Sequence, residues 1–501
     1  MEDKESLSNS SGAKDGTHIN VSDVLRVEPT PEQEARVVRK IDLYILPLMG
    51  ICYMLQLMDK STLSYATQLG ILKDLKLQGS QYSWTSSIFY FGYLFWSFPS
   101  SYLAVRAPLA KYVASTVVLW GIVLMCHAAT KDYAGLMTVR FFLGVTEAAV
   151  GPGFSLIVGL FYKREEQPAR MLIWFTGNAV ANILSGIIAH GVGEITTSNI
   201  ATWKLLFLIL GGVTTFWGIV LVFLLPSSPS EAKFLTPDER AICLQRTIAN
   251  KTGILDKSEF NLPQMVAGLL DPQAWLLFLA MFTVSVANGG ISAVCFGSIL
   301  VAAFGFSPLE AVLMQMPSGG VQLGAFILSS ILAAYTKIPR TIIMVFMTIV
   351  SLVGIVMVYA LPSEQKWSRL GGSWITTTYV ATTPLQLSLI TSNVGGFTKR
   401  STVSGMLFVA YCVGNIAGPQ FYSTDQAPRY SKGIRATLAG YGLATFFTFA
   451  LFLYYIFENK RRDVKYGLPA NAPESMSESE EQELEVSNKT DRELTDFRYI
   501  L

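Results

Sequence analysis

About twelve stretches of this chain are long and apolar enough to cross a bilayer, which takes roughly 20 mostly apolar residues. They run near 41–66, 82–104, 108–129, 134–162, 168–194, 203–225, 272–303, 308–335, 339–361, 371–394, 402–424 and 433–457. A helix in lipid satisfies its own backbone, so these runs predict an all-α membrane protein of twelve transmembrane helices. The blocks 41–225 and 272–457 hold six runs each and are nearly equal in length, with the polar stretch 226–271 between them. Two six-helix halves joined by a long polar loop are what a duplicated transporter shows, whereas a receptor or a single-pass anchor predicts neither feature. Residues 1–40 are Ser-rich and charged, so they read as a disordered tail. A first run preceded by such a tail is not a cleaved signal peptide. Residues 458–501 form a second tail, basic at Glu-Asn-Lys-Arg-Arg-Asp and then acidic and Ser-rich around Ser475–Glu481. The basic part suits an anionic inner leaflet.

Composition removes whole classes of function. Only 15% of the 501 residues are charged, against about 25% for soluble domains, which excludes a soluble enzyme. A net charge of +2 gives no basic face for nucleic acid. The five Cys are scattered without CxxC spacing, so neither a disulfide framework nor a zinc site is expected. With three His, no phosphate-binding loop and no nucleophile elbow, the chain offers no metal centre, no cofactor site and no hydrolytic machinery. The expected partners are the lipid bilayer, protons and a small organic anion, handled by a monomer.

Orientation follows from the basic residues of the connections. With both termini in the cytosol, the inner segments hold about 21 Lys and Arg and the outer loops about 9. The sites Asn9, Asn20, Asn250 and Asn488, each of the form N-x-[ST], then face the cytosol. The stretch 226–271 reads as amphipathic helices on the inner membrane surface.

Two basic residues fall inside spans, Lys60 in the first and Arg140 in the fourth. Each costs at least a few kcal/mol in lipid unless paired or hydrated. Asp59 adjoins Lys60, and Glu147 follows Arg140 by two helical turns. Two acid–base pairs are therefore expected, Asp59 with Lys60 and Arg140 with Glu147. A carboxylate desolvated in a bundle can take or release a proton near working pH, which makes Asp59 and Glu147 the proton-coupling candidates. Lys60 and Arg140 offer an anion its counter-charge, and the Arg fork suits a carboxylate. Polar amides complete the candidate substrate contacts: Asn178 and Asn182 one turn apart on span five, Asn288 (with Ser292) on span seven, Gln315 (with Gln322) on span eight, and Asn415 (with Gln420) on span eleven. Tyr53 and Tyr411 are further candidates to line a cavity. The Asn288-Gly289-Gly290 step is expected to unwind and expose backbone. Around Glu147, Gly144, Gly151 and Gly153 allow close helix approach and Pro152 should kink the span.

The stretches M-D-K-S-T-L-S-Y-A, Q-Y-S-W-T-S-S-I-F-Y-F-G-Y-L, R-F-F-L-G-V-T-E-A-A-V-G-P-G-F, A-Y-C-V-G-N-I-A-G-P-Q-F and the tail L-T-D-F-R-Y resemble the major facilitator superfamily. The nearest likeness is to the fungal allantoate permease branch of its anion:cation symporters. The resemblance covers about 41–465 and implies two halves that rock about a central cavity, with proton-coupled movement of a small organic anion. It also implies coupling and substrate roles for Asp59, Lys60, Arg140 and Glu147. Two departures stand out. Lys60 replaces the Arg often found beside the first-helix acid, and the stretch carrying Arg106 and Lys111 lacks the acid usual between spans two and three. The usual charge latch at the cytosolic gate is therefore expected to be weak or differently built.

The reading that results is a proton-coupled importer of a carboxylate, ureido acid, vitamin or small peptide in a plasma membrane. The alternative is an exporter of a specialised fungal metabolite by proton antiport, since direction is not written in the sequence.

Overall fold

The computed structural model describes residues 29–163, 166–195, 199–248, 261–291, 296–467, 490–495 and 497–501. Among these residues the structure is helical and contains no strand. The first block holds α1 (Pro31–Gln68), α2 (Gln81–Arg106), α3 (Leu109–Cys126), α4 (Tyr133–Glu147), α5 (Val150–Phe161), α6 (Gln167–Phe175), α7 (Gly177–Gly193) and α8 (Thr202–Leu224). The connecting stretch holds α9 (Pro237–Ile248) and α10 (Leu262–Leu269). The second block holds α11 (Pro272–Ile291), α12 (Gly297–Ala303), α13 (Pro308–Leu313), α14 (Met316–Tyr335), α15 (Arg340–Ala360), α16 (Lys366–Ile375), α17 (Thr382–Asn393), α18 (Phe397–Ala417) and α19 (Ser431–Tyr466).

Ten helical stretches among the described residues are long and apolar enough to span a bilayer. The other two expected stretches are helical as well, but they differ in character. One is α2, rich in Ser and Tyr. The other is split into α16 and α17 by a 3₁₀ segment, Thr376–Ala381. The split has a local cause. Thr376, Thr377 and Thr378 each turn a hydroxyl back onto the carbonyl three residues earlier, which competes with regular helix geometry. Pro384 follows shortly and withholds its own amide.

The expected unwinding at Asn288-Gly289-Gly290 is not found, because α11 runs on to Ile291. Those glycines serve contact instead. A Cβ on Gly290 would sit 2.5 Å from the Tyr422 ring, and one on Gly289 3.0 Å from Pro419. Ser292 lies outside the described residues. The fourth span does break, between Glu147 and Val150. Pro152 leaves the Ala148 carbonyl without an amide partner, which places the break there.

Helix ends follow local chemistry. Thr30 and Gln33 form a reciprocal cap at the start of α1, with Pro31 in the first turn. Asp132 accepts from the Gly135 amide at 2.8 Å to start α4. Gly467, at φ 84°, ends α19 where another side chain would be strained.

α2 and α4 cross so closely that a Cβ on Gly144 would lie 1.9 Å from the Phe89 carbonyl oxygen. Gly144→Val should therefore separate the two helices, at a cost of at least about 1–3 kcal/mol. A fall in thermal midpoint and in folded yield of the purified protein checks this. Gly153 is similarly close to Val113, whereas a Cβ on Gly151 meets nothing nearer than 3.9 Å, so Gly151 is not a close-packing residue.

The start of α1, the connecting helices and the end of α19 share one face, here termed the terminal face. It carries a network of ion pairs. In the first half Asp42 meets Arg170 at 3.1 Å, Glu34 meets Lys163 at 2.9 Å and Arg246 at 3.2 Å, and Lys40 reaches Glu239 of α9 at 2.5 Å. Arg106 instead stacks over Tyr102, and these ion pairs lie outside the α2–α3 connection. Glu239 is held below the usual carboxylate range. Its partial burial raises the value, and the Lys40 and Thr236 hydrogen bonds outweigh that.

The four N-x-[ST] sites lie outside the described residues. The expected orientation predicts that the native protein carries no N-glycan. An unchanged gel mobility after glycosidase treatment is the expected result.

Candidate functional site

The two halves meet on the side away from the terminal face. There Ser83 and Ser87 on α2 donate to the carbonyls of Tyr422 and Ile416 at 2.5 and 2.7 Å, and Gln420 donates to Ser87 at 2.8 Å. Ser64 and Ser298 join α1 to α12 at 2.9 Å. Between the halves lies a cavity of about 500 Å³, a size suited to a small organic molecule.

Aromatic rings dominate its surface. Trp174 stacks on Phe175 with centroids 4.4 Å apart, and Tyr53 stands edge-on to both. On the other side Tyr93 faces Phe408 and Tyr90 faces Tyr411. Tyr53 and Tyr411 thus line the cavity as expected. The amides are grouped. Asn178, Asn182, Asn288 and Gln322 all line the cavity. Asn182 donates to Gln322 at 3.0 Å, a bond that crosses from the first half to the second. Asn288 donates to Asn415 at 2.7 Å and accepts from the Tyr379 hydroxyl. Asn415 is buried behind Asn288 and does not itself line the cavity, and neither does Gln315, which sits buried just ahead of α14.

Charge is arranged differently from the two expected pairs. Lys60 points into the cavity wall, and its Nζ lies 3.4 Å from Glu147 Oε2. The ion pair therefore crosses from α1 to α4 and replaces both pairings read along the chain. The reason is helical geometry. Neighbours in a helix diverge by about 100°, so Asp59 faces away from Lys60, into the contact with α8, where Thr214 donates to its Oδ2 at 3.3 Å. Arg140 and Glu147 share a face, yet the Arg140 guanidinium turns to α2. It donates to the Thr85 carbonyl at 3.2 Å and lies over the Phe89 ring. Asp59, Arg140 and Glu147 are all buried and are not among the residues lining the cavity. Lys60 is the one cation among the lining residues described.

The Lys60–Glu147 contact is loose. At 3.4 Å it exceeds the usual charge-assisted distance, and the Gln56 side chain faces the same carboxylate. The Lys60 ammonium also lies 5.5 Å from the centroids of both Phe89 and Tyr93. These rings keep it at the cavity surface by cation–π attraction.

Lys60 and Arg140 are not the only cations drawn inside the fold. Lys399 is fully buried at the terminal face, 2.6 Å from both Asp271 and Asp491. Its place at the end of a run, beside Arg400, reads as loop in the sequence. Its two carboxylates lie far from it along the chain, so no local pattern signals the cluster. Among the described residues no cluster of His, Cys, Asp and Glu suits a metal ion.

Comparison with known proteins agrees with this architecture. The sequence profile of the Major Facilitator Superfamily matches residues 49–419. An uncharacterized transporter of Schizosaccharomyces pombe is 37% identical over 471 residues, covering 94% of this chain and 88% of that protein. Allantoate permease of Saccharomyces cerevisiae is 37% identical over 487 residues, covering 95% and 88%. Among solved structures, a bacterial homologue of the human lysosomal transporter Spinster, in an inward-facing conformation, superposes with a TM-score of 0.61. That match covers 81% of this chain and 96% of the other, at 15% identity, so it speaks to the fold alone. The chain belongs to the Major Facilitator Superfamily, in an allantoate permease-like branch, and is a multi-pass membrane transporter and not an enzyme.

Proposed function

We propose that the chain is a proton-coupled importer of a small organic anion, working by alternating access in a fungal plasma membrane. The observation that carries this reading is the loose Lys60–Glu147 ion pair at the wall of the cavity. When Glu147 takes a proton its charge vanishes, and Lys60 is left without a counter-charge. A substrate anion then supplies that charge, so proton and anion bind together. When the proton leaves, Glu147 reclaims Lys60 and the anion is expelled. The cycle moves one proton with each anion and uses only partners already within reach.

Asp59, buried against Thr214, is the second proton-coupling candidate and stabilises the α1–α8 contact in the meantime. Arg140 holds α4 to α2 through the Thr85 carbonyl and keeps positive potential near Glu147. The rings around the cavity suit an apolar or planar substrate body, and the amides Asn178, Asn182, Asn288 and Gln322 suit its polar groups. Asn415 positions Asn288, and Gln315 acts on the substrate only if the start of α14 moves. With the terminal face in the cytosol, contacts between the halves close the outer side, so the conformation is inward-open. The likeness to allantoate permease supports a small anionic substrate.

The test is uptake of labelled small carboxylates, ureido acids and vitamins into cells expressing the protein, at pH 5 and pH 7, with and without a protonophore. Accumulation at pH 5 that collapses with the protonophore is expected. Absence of uptake of every compound, with efflux from preloaded cells, would overturn import in favour of export.

A further inference from the structure

Residues 490–495 and 497–501 fold back onto the terminal face of the second half and are bound there by an unusual density of polar contacts. Asp491, fully buried, meets Lys399 at 2.6 Å and accepts from the Gly395 amide at 3.2 Å and the Tyr499 hydroxyl at 2.8 Å. Arg462 of α19 donates to the carbonyls of Asp491, Leu494 and Phe497. Asn459 and Asn393 each bond one residue of the segment through both amide atoms, Tyr499 and Ile500 respectively. The Arg340 amide donates to the Leu501 carbonyl at 2.7 Å. One short segment thus grips the terminal ends of α11, α15, α17, α18 and α19 together.

The charges divide in a telling way. The helical body contributes Lys399 and Asp271, 2.6 Å apart, and the segment adds Asp491 and Arg492, the latter 3.4 Å from Asp271. Arg462 likewise keeps Glu458 of its own helix at 3.3 Å. Lifting the segment away separates Asp491, Arg492 and Arg498 from the body; Lys399 and Asp271 keep each other, Arg462 keeps Glu458, and the one body residue that loses its partner, Asp463 at 2.7 Å from Arg498, is half-exposed. Breaking a buried ion pair is costly chiefly because it strands an uncompensated charge, and here undocking strands no fully buried one. In the first half the connecting helix α9 instead pairs through Arg246 with Glu34 and Glu166 and through Glu239 with Lys40, apart from the Asp42–Arg170 pair.

We infer that residues 490–501 are a detachable latch, which docks onto the Lys399–Asp271 pair to make the second half move as one body and whose release loosens its terminal ends. This goes beyond the transport reading and does not depend on which substrate is carried.

The test compares three chains purified into lipid nanodiscs: native, a deletion of 490–501, and Lys399→Ala with the segment intact. Hydrogen–deuterium exchange is followed by mass spectrometry, with folded yield by size exclusion. In the native chain the amides of 498–501 should exchange slowly. The deletion should remain folded and monodisperse, with exchange over 393–400 at least tenfold faster and the helix interiors unchanged. Lys399→Ala strands the buried Asp491 and leaves Asp271 only its 3.4 Å contact with Arg492, and should lose at least fivefold in folded yield. The inference is overturned if the deletion loses as much folded protein as Lys399→Ala, since the segment is then a fixed structural part. It is equally overturned if 393–400 exchange at the native rate without the segment, or if the native segment itself exchanges freely.

Discussion

Glu147→Gln should abolish the pH dependence of accumulation while leaving the protein folded. Gln is close to Glu in shape and remains neutral at every pH, so it mimics the protonated state permanently. In the proposed cycle Lys60 then never regains its internal partner. The anion still binds, but its release is no longer driven by proton loss. Accumulation ratios at pH 5 should fall at least tenfold, to the level set by facilitated equilibration. Exchange of labelled for unlabelled substrate across the membrane should persist. The sign is specific: native uptake increases as pH falls through the range in which Glu147 protonates, and the variant's uptake is flat. Loss of exchange together with accumulation would mean that Glu147 is needed for the fold or for binding, and the coupling role would be wrong.

Lys60→Gln should have the second large effect, and on a different parameter. Lys60 is the single cation among the described residues at the cavity surface. Charge-assisted contacts are worth about 1.5–3 kcal/mol, so KM for the transported anion should rise roughly 10- to 150-fold. The double variant Lys60→Gln with Glu147→Gln removes both charges of the pair. It should fold better than Lys60→Gln alone, because a lone buried carboxylate is more costly than none. Lys60→Arg keeps the charge but places a planar fork between Phe89 and Tyr93, and an intermediate KM is expected. Arg140→Ala provides the contrast. Arg140 is bonded to the Thr85 carbonyl and lies outside the cavity lining, so its loss should lower folded yield before it changes KM.

The bundle was legible in the sequence because lipid imposes a simple rule, roughly 20 apolar residues per crossing, and that rule needs no partner to be known. Among the described residues, helices lie in each of the expected stretches, including α2 and the broken α16–α17, and ten meet the length and hydropathy needed to span. The candidate residues stood out for a related reason, since a charge inside an apolar run has few innocent explanations. Their pairing was not. Asp59 and Lys60 are adjacent along the chain and face different helices. Lys60 and Glu147 are far apart and touch.

Distances across helices depend on rotation about each axis, which a hydrophobic run with apolar residues on every side does not encode. The Lys399 cluster was hidden for a further reason. Its second carboxylate, Asp491, comes from a polar stretch whose composition resembles a solvated tail. The amides split along the same line. Asn178, Asn182 and Asn288 reach the cavity, whereas Asn415 and Gln315 lie behind its wall. All five look alike as polar residues in apolar runs.

The central claim is that proton and anion move together through exchange of one partner on Lys60. It is tested most directly with the purified protein in proteoliposomes containing a pH-sensitive dye, to which the panel compound taken up by cells is added outside. The account predicts internal acidification that starts with substrate addition, saturates with substrate concentration, and is absent with Glu147→Gln although labelled substrate still exchanges. Substrate entry with no proton movement, or proton movement that survives in Glu147→Gln, would contradict it.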